Sequence, residues 1–335
     1  MRIAVDAMGG DYAPHEIVKG AVDAVKSLTD VDNLFLVGDE LLVKKEVNDI
    51  GYSGQKITIK HASEVVEMGE TPAMAIRKKK DSSISRCIDM IAAGEANAVV
   101  SAGNTGAVVV ASTLKLRLLP GVLRPAIATI LPTRDRPVVL IDAGANTDCD
   151  PIMLTQFGIM GSIYSKVIFK QEEPVVGLMS IGGEDTKGNE ITKKAFSLLG
   201  KANIKFRGNV EGHDLFKGET DVVVCDGFVG NVILKTSESA AHVIGSWMKE
   251  EFTKNPVRKF GAFLLKEALH SMKKKMDPEL YGGAPLLGVN GVVIITHGSS
   301  SAKAIYHAIR VACEFVKGRL NELIMNEIGK MEKIG

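Results

Sequence analysis

Short apolar runs recur along the 335-residue chain, and most of them end in Gly, Asp or Asn. They occupy residues 3–7, 34–37, 57–59, 98–100, 126–131, 138–141, 175–179, 222–224 and 292–295. Between most of them lie stretches whose apolar residues fall three and four apart, such as 16–28, 84–93 and 191–199. Near-continuous Val and Ile strands alternating with helices predict a largely parallel sheet covered on both faces, a three-layer α/β fold. No tandem repeat, low-complexity segment or Pro/Ser-rich linker breaks the chain, so a single α/β domain over 1–335 is expected.

One segment departs from the alternation. From about 235 to 276 the pattern is helical throughout, interrupted only at Asn255-Pro256. Its first half spaces Val243, Ile244, Trp247, Met248 and Phe252 as a helix would, and its second half does the same with Val257, Phe260, Leu264, Leu265, Ala268 and Met272. Proline after Asn suits a turn between helices, which predicts an inserted helical hairpin projecting from the body. Such a stripe serves a dimer interface or covers the core. The tip, with Phe260, Phe263 and Leu264 among basic residues, is a candidate contact for an anionic membrane.

The loops that follow the apolar runs share one chemistry. They are 6–11 (DAMGGD), 101–106 (SAGNTG), 142–146 (DAGAN), 182–189 (GGEDTKGN), 226–231 (DGFVGN) and 297–301 (HGSSS). Ligands of open α/β sheets bind beyond the carboxyl ends of the strands, so these loops are expected to converge on one edge. Any one of them alone is ordinary turn chemistry, whereas six together indicate a site. The stretch Gly103, Asn104, Thr105, Gly106 leads into a helical pattern and can offer backbone N–H groups to an anion there.

Composition narrows the chemistry. Lys+Arg 41 against Asp+Glu 40 leaves a formal charge of +1, which argues against a nucleic-acid partner held by charge. Cys87, Cys149, Cys225 and Cys313 are scattered with no CxxC, as suits a reducing, cytoplasmic setting. The start MRIAVDAMGGD reads as a strand and turn, and no apolar run approaches the length of a membrane span. HExxH, EF-hand, Walker A and GxGxxG patterns are all missing. Asp6, Asp142, Asp185 and Asp226 could gather around Mg²⁺, but acids that end strands more often cap helices, and neither metal nor cofactor is expected. Cys225 reads as buried packing, and no GxSxG elbow is present.

What the loops do offer is many N–H groups and one well-placed cation, Lys187. Inorganic phosphate is already a nucleophile near neutral pH, and a thiol leaving group with a pKa of about 8.5 needs little acid assistance. Phosphorolysis of a thioester therefore asks mainly for positioning and charge stabilisation.

Read in order, IAVDAMGGD, SAGNTGA, DAGAN, GGEDTKGNE, GNVEG, CDGFVGN, YGGAPLLG and HGSS resemble the bacterial phosphate acyltransferases of phospholipid synthesis, the PlsX-type acyl-carrier-protein:phosphate acyltransferases, from about residue 1 to 317. The resemblance implies the fold of the isocitrate and isopropylmalate dehydrogenases and of phosphotransacetylase. It also implies a homodimer that makes acyl phosphate from acyl carrier protein and inorganic phosphate without a cofactor. Position by position, it implies Lys187 and Asn231 as catalytic residues, with Gly103, Asn104, Thr105 and Gly106 holding phosphate. Asp226, His297 and Ser299 are further site members. Ser301 and Lys303 depart from the family pattern, where Asp and Asn are frequent. The basic runs Arg77-Lys78-Lys79-Lys80 and Lys273-Lys274-Lys275 are candidates to meet the acidic carrier. A peripheral membrane contact would bring the enzyme near a downstream glycerol-phosphate acyltransferase. Alternatives are a coenzyme-A-dependent phosphate acyltransferase, a metal- and NAD-dependent decarboxylating dehydrogenase on the same fold, and a non-catalytic membrane-associated scaffold of lipid synthesis.

Overall fold

The computed structural model describes residues 1–275 and 277–331. Its first half runs β1 (Arg2–Asp6), α1 (His15–Ser27), β2 (Asn33–Gly38), α2 (Glu40–Asp49), β3 (Ile57–His61), α3 (Pro72–Lys78), α4 (Ser83–Ala92), β4 (Ala98–Ser101) and α5 (Thr105–Lys115). There follow β5 (Ala126–Leu131), β6 (Val138–Ile141), α6 (Pro151–Phe169), β7 (Val175–Met179), α7 (Glu190–Leu199), β8 (Lys205–Val210) and β9 (Val222–Val224). The last part holds α8 (Gly227–Thr253), α9 (Pro256–Leu264), α10 (Lys266–Lys275), β10 (Ala284–Leu287), β11 (Val292–Ile295), α11 (Ala302–Lys317) and α12 (Leu320–Met331). All nine apolar runs become strands. The two strands that no run announced are β8, whose sequence KFRGNV has no continuous apolar stretch, and β10, where Pro285 masks the signal.

One sheet contains every strand, in the order β3-β2-β1-β4-β11-β10-β5-β6-β9-β7-β8. Its alternating side chains feed cores on both faces, which is why helices cover both. Ile3 and Val5 of β1 belong to a core that includes residues of α1, α6, α11 and α12, whereas Ala4 belongs to one that includes residues of α3, α4 and α5. At the other end Val139 and Ile141 join the first core, and Val138 and Leu140 meet the α8 side.

The expected convergence on one edge needs correction. Strands β3, β2, β1, β4 and β11 are mutually parallel, and so are β6, β9, β7 and β8. Between the two blocks, β10 pairs antiparallel with both β11 and β5, and β5 pairs antiparallel with β6. Three antiparallel steps reverse the direction, so the two parallel blocks run oppositely. Loops 6–11, 101–106 and 297–301 leave one block, and loops 142–146, 182–189 and 226–231 leave the other. The six loops form two clusters of three.

The segment 235–276 is helical, with its boundaries shifted. Helix α8 begins at Gly227, so DGFVGN is the opening of a 27-residue helix rather than a loop; its two glycines and Val229 hid the helical signal. After Pro256 the chain forms two helices, α9 and α10, broken at Leu265. Met276, the last residue of that expected segment, lies outside the described residues, as do residues 332–335 of the expected domain. Helix α6 is long and apolar enough to cross a membrane, contrary to the expectation from the apolar runs. Here it is a core helix, with Phe157, Met160 and Tyr164 fully buried against the sheet.

Candidate functional site

In the β6–β9–β7–β8 block, Asp142 ends β6 fully buried, and its carboxylate organises the loop that follows. It accepts hydrogen bonds from the backbone N–H groups of Ile127 (3.0 Å), Gly144 (3.1 Å), Ala145 (3.0 Å) and Asn146 (2.7 Å) and from Asn146 Nδ2 (2.8 Å). Burial raises its pKa above the usual carboxylate value, and these donors pull against the shift. Helix α8 rests directly on this loop. A Cβ at Gly230 would lie 1.9 Å from the Asp142 carbonyl oxygen, so only glycine permits the approach. Asn231 follows on the exposed side, above Gly144, where an added methyl would lie 3.5–3.7 Å from its Cβ, Cγ and Oδ1. Asp226 caps α8 by accepting from the Val229 N–H (2.9 Å).

Lys187 stands on the loop after β7, next to β9 in the sheet. Its side chain is exposed, folds over Gly182, and forms no ion pair among the described residues. The loop is tied down from β8 by two residues. Asn209 Nδ2 donates to the Glu184 carbonyl (2.7 Å), and Glu211 accepts from the Gly183 N–H (3.1 Å). The stretch GNVEG, quoted in the resemblance without a role, is therefore what positions the lysine loop.

The second cluster is built on Asp6, also fully buried, which accepts from Ser101 Oγ (2.7 Å) and the Met8 N–H (3.3 Å). Burial raises its pKa. Gly9 sits so close to the next loop that a Cβ would lie 2.6 Å from the Gly103 nitrogen. Asn104, expected as a phosphate ligand, has its side chain occupied otherwise. Its Oδ1 accepts from the Ala107 N–H (3.0 Å) as the cap of α5, and its Nδ2 lies within bonding distance of the carbonyls of Glu67 (3.2 Å), Met68 (3.0 Å) and Glu70 (3.1 Å). That leaves the first-turn amides of Thr105 and Gly106 as the groups α5 can offer an anion. The N-terminus of α11 is already filled, because Glu16 accepts from the Ala302 N–H (2.6 Å). Ser301 and Lys303 are used in that neighbourhood: Ser301 donates to Glu279 (2.8 Å), and Lys303 pairs with Asp277 (2.5 Å).

Helix α8 joins the two clusters. Lys235 lies one turn beyond Asn231 on the same face, and its Nζ is 3.5 Å from His297 Nε2 on the loop after β11. His297 in turn meets Ser299 through Nδ1 (2.8 Å to Oγ). Lys235 was not singled out from the sequence, although its i+4 spacing from Asn231 was the available signal.

The four aspartates considered for Mg²⁺ hold backbone or lie apart in the two clusters. Among the described residues, the group of acidic and imidazole side chains near enough to share an ion is Glu211, His213 and Asp214. Burial and the neighbouring Asp226 and Asp142 push the Cys225 thiol well up, so it stays protonated beneath α8.

A family model described as fatty acid synthesis protein matches residues 1–323. The chain is 52% identical over 335 residues to a phosphate acyltransferase of Pelotomaculum thermopropionicum, covering 100% of this chain and 97% of that protein. It is 51% identical over 332 residues to one from Halothermothrix orenii, covering 98% and 99%. A phosphotransacetylase structure from Streptococcus pyogenes has a TM-score of 0.60 at 17% identity over 95% of this chain and 94% of that one, a likeness of fold.

Proposed function

Because the chain belongs to the fatty acid synthesis protein family, whose half-identical relatives are phosphate acyltransferases, we propose that it moves an acyl group from acyl carrier protein to inorganic phosphate. A phosphate oxygen attacks the thioester carbonyl, the C–O bond forms, the C–S bond breaks, and the carrier leaves as a thiolate that takes a proton from solvent. Lys187 neutralises the phosphate and the charge that develops on the carbonyl oxygen, and Asn231 donates to that oxygen through its side-chain amide. Thr105 and Gly106 hold the phosphate by their amides, with Gly103 shaping the loop and Asp226 and Asn104 acting as caps that fix the helices. His297 and Ser299 form the far wall.

The observation that carries this reading is the placement of Lys187 and Asn231. Lys187 stands on the loop after β7 and Asn231 near the start of α8, which follows the adjacent parallel strand β9; the first is cationic and in no ion pair among the described residues, the second lies above the Asp142 loop. Acyl phosphate should appear when the protein is mixed with long-chain acyl carrier protein and phosphate, more readily than with the matching acyl-coenzyme A. Lys187→Ala should abolish it while the fold persists; near-normal turnover in that variant overturns the mechanism.

The same reading extends to the helical arm. Helices α9 and α10 contain no buried residue, and Val243, Ile244, Trp247, Phe260, Phe263 and Leu264 are all exposed. The α8 stripe pairs with a second copy of the chain, and Phe260, Phe263 and Leu264 touch an anionic membrane from the cytoplasmic side. Of the first basic run, Lys79 bonds to the Val65 carbonyl and pairs with Glu70, so Arg77, Lys78 and Lys80, with Lys273–Lys275, face the carrier. Liposome flotation checks the membrane part: Phe263→Glu and Leu264→Glu should float less than the parent chain.

A further inference from the structure

The contact between Lys235 and His297 brings a helix cation and an imidazole of the loop after β11 together at 3.5 Å. In the tautomer in which His297 Nδ1 accepts from the Ser299 N–H (3.2 Å), the neutral ring carries its proton on Nε2; in the other, Nδ1–H donates to Ser299 Oγ (2.8 Å) and Nε2 accepts from Lys235. In the first tautomer Nε2–H faces the Lys235 ammonium at 3.5 Å, and an ammonium only donates. In that tautomer two donors, one from α8 and one from the loop after β11, converge with no acceptor between them. Lys235 has one acidic neighbour, Glu238 at 2.9 Å, one turn further along the helix, which leaves other ammonium protons free to turn toward the imidazole. Both side chains are exposed, so an incoming ligand can reach them.

We infer that Lys235 and His297 form a two-donor clamp for a phosphoryl oxygen, an anion subsite that spans the two clusters. The inference rests on the acyl-phosphate reading, and it makes Lys235 the second cation of that site. Lys187 and Lys235 would then approach one phosphate from different elements, the first from the loop after β7 and the second from α8. An anion bridging Nε2–H and the ammonium would select the first tautomer and fasten α8 to the loop after β11. Phosphate binding would thereby bring the clusters into register before the thioester arrives.

Steady-state kinetics at saturating acyl donor, with inorganic phosphate varied, test the clamp. Lys235→Met should raise the KM for phosphate about tenfold or more, with the KM for the acyl donor unchanged. Lys235→Arg, which keeps a cationic donor, should recover most of the loss. His297→Leu should weaken phosphate similarly, and the double variant should lose less than the product of the two single losses. A parallel thermal-melt titration with inorganic phosphate alone should stabilise the parent chain and do so less in Lys235→Met. An unchanged phosphate KM in a folded Lys235→Met variant overturns the clamp while leaving the acyl-transfer reading standing. No acyl phosphate from the parent chain with any thioester overturns the reading itself. Multiplicative losses in the double variant would mean that the two residues act separately, which also overturns the clamp.

Discussion

The loops after β1 and β6 begin with the same two residues, Asp-Ala, and are held in different ways. Asp142 gathers five N–H donors from its own loop and from Ile127, so one buried carboxylate replaces a whole set of backbone acceptors. Asp6 draws its donors from the Ser83 and Ser101 side chains as well as from its own loop, and that loop is also held by contact, with Gly9 pressed against Gly103. The Asp142 loop is a floor on which α8 and Asn231 rest. The Asp6 loop is a wedge between neighbouring loops. A buried acid at the end of a strand is therefore a structural acceptor in both clusters, and the chemistry lies with the exposed residues placed above it.

Several substitutions test that division. The largest effects should come from the exposed pair. Lys187→Ala or Asn231→Ala should cost roughly 10²–10³ or more in turnover, since each removes charge stabilisation in the transition state. Unfolding free energy should stay within about 1 kcal/mol, because neither side chain is buried. A folded variant that turns over normally would move the chemistry elsewhere. Asp142→Asn should act on the fold, lowering stability in urea by about 2–4 kcal/mol, as the Asn146 backbone and side-chain N–H groups meet an amide NH2 in place of a carboxylate oxygen. Equal costs for Asp142→Asn and Asp6→Asn would erase the difference between the two loops. Asn104→Ala removes the α5 cap and three carbonyl contacts, for about 1–3 kcal/mol and faster proteolysis around residues 67–70. The smallest effect is a pH dependence. Burial raises Asp6, so the folded chain binds that proton more tightly than the unfolded chain does. Its contribution is fully present below the ordinary carboxylate value of about 4 and is lost as pH rises through the raised value. Asp6→Asn should flatten that decline, read as the difference in urea stability between about pH 4 and about pH 7.

Local physics made much of this protein legible from sequence. Uninterrupted Val and Ile runs need a sheet buried on both faces, and all nine became strands. Asp226 and Asn104, read as loop residues of a site, are helix caps, a role their short side chains favour. The polar loops could be picked out because glycine, asparagine and aspartate serve tight strand-to-helix turns. Strand β10 escaped because proline removes a ladder donor, and α8 was begun too late because glycine and valine weaken the helical signal.

Which ends of the strands face each other is a different kind of fact. It depends on three antiparallel steps, through β10 and β5, between residues far apart in sequence, and no local pattern encodes the pairing partner of a strand. The same holds for the approach of Lys235 to His297, separated by 62 positions and joined only because Gly230 lets α8 settle on the Asp142 loop. Sequence determined nine of the eleven strands and the polar loops with their candidate lysine, since those follow from side-chain size, branching and charge at neighbouring positions. Tertiary structure alone decided that the loops form two clusters and that one helix connects them, since that follows from long-range strand pairing and close backbone packing.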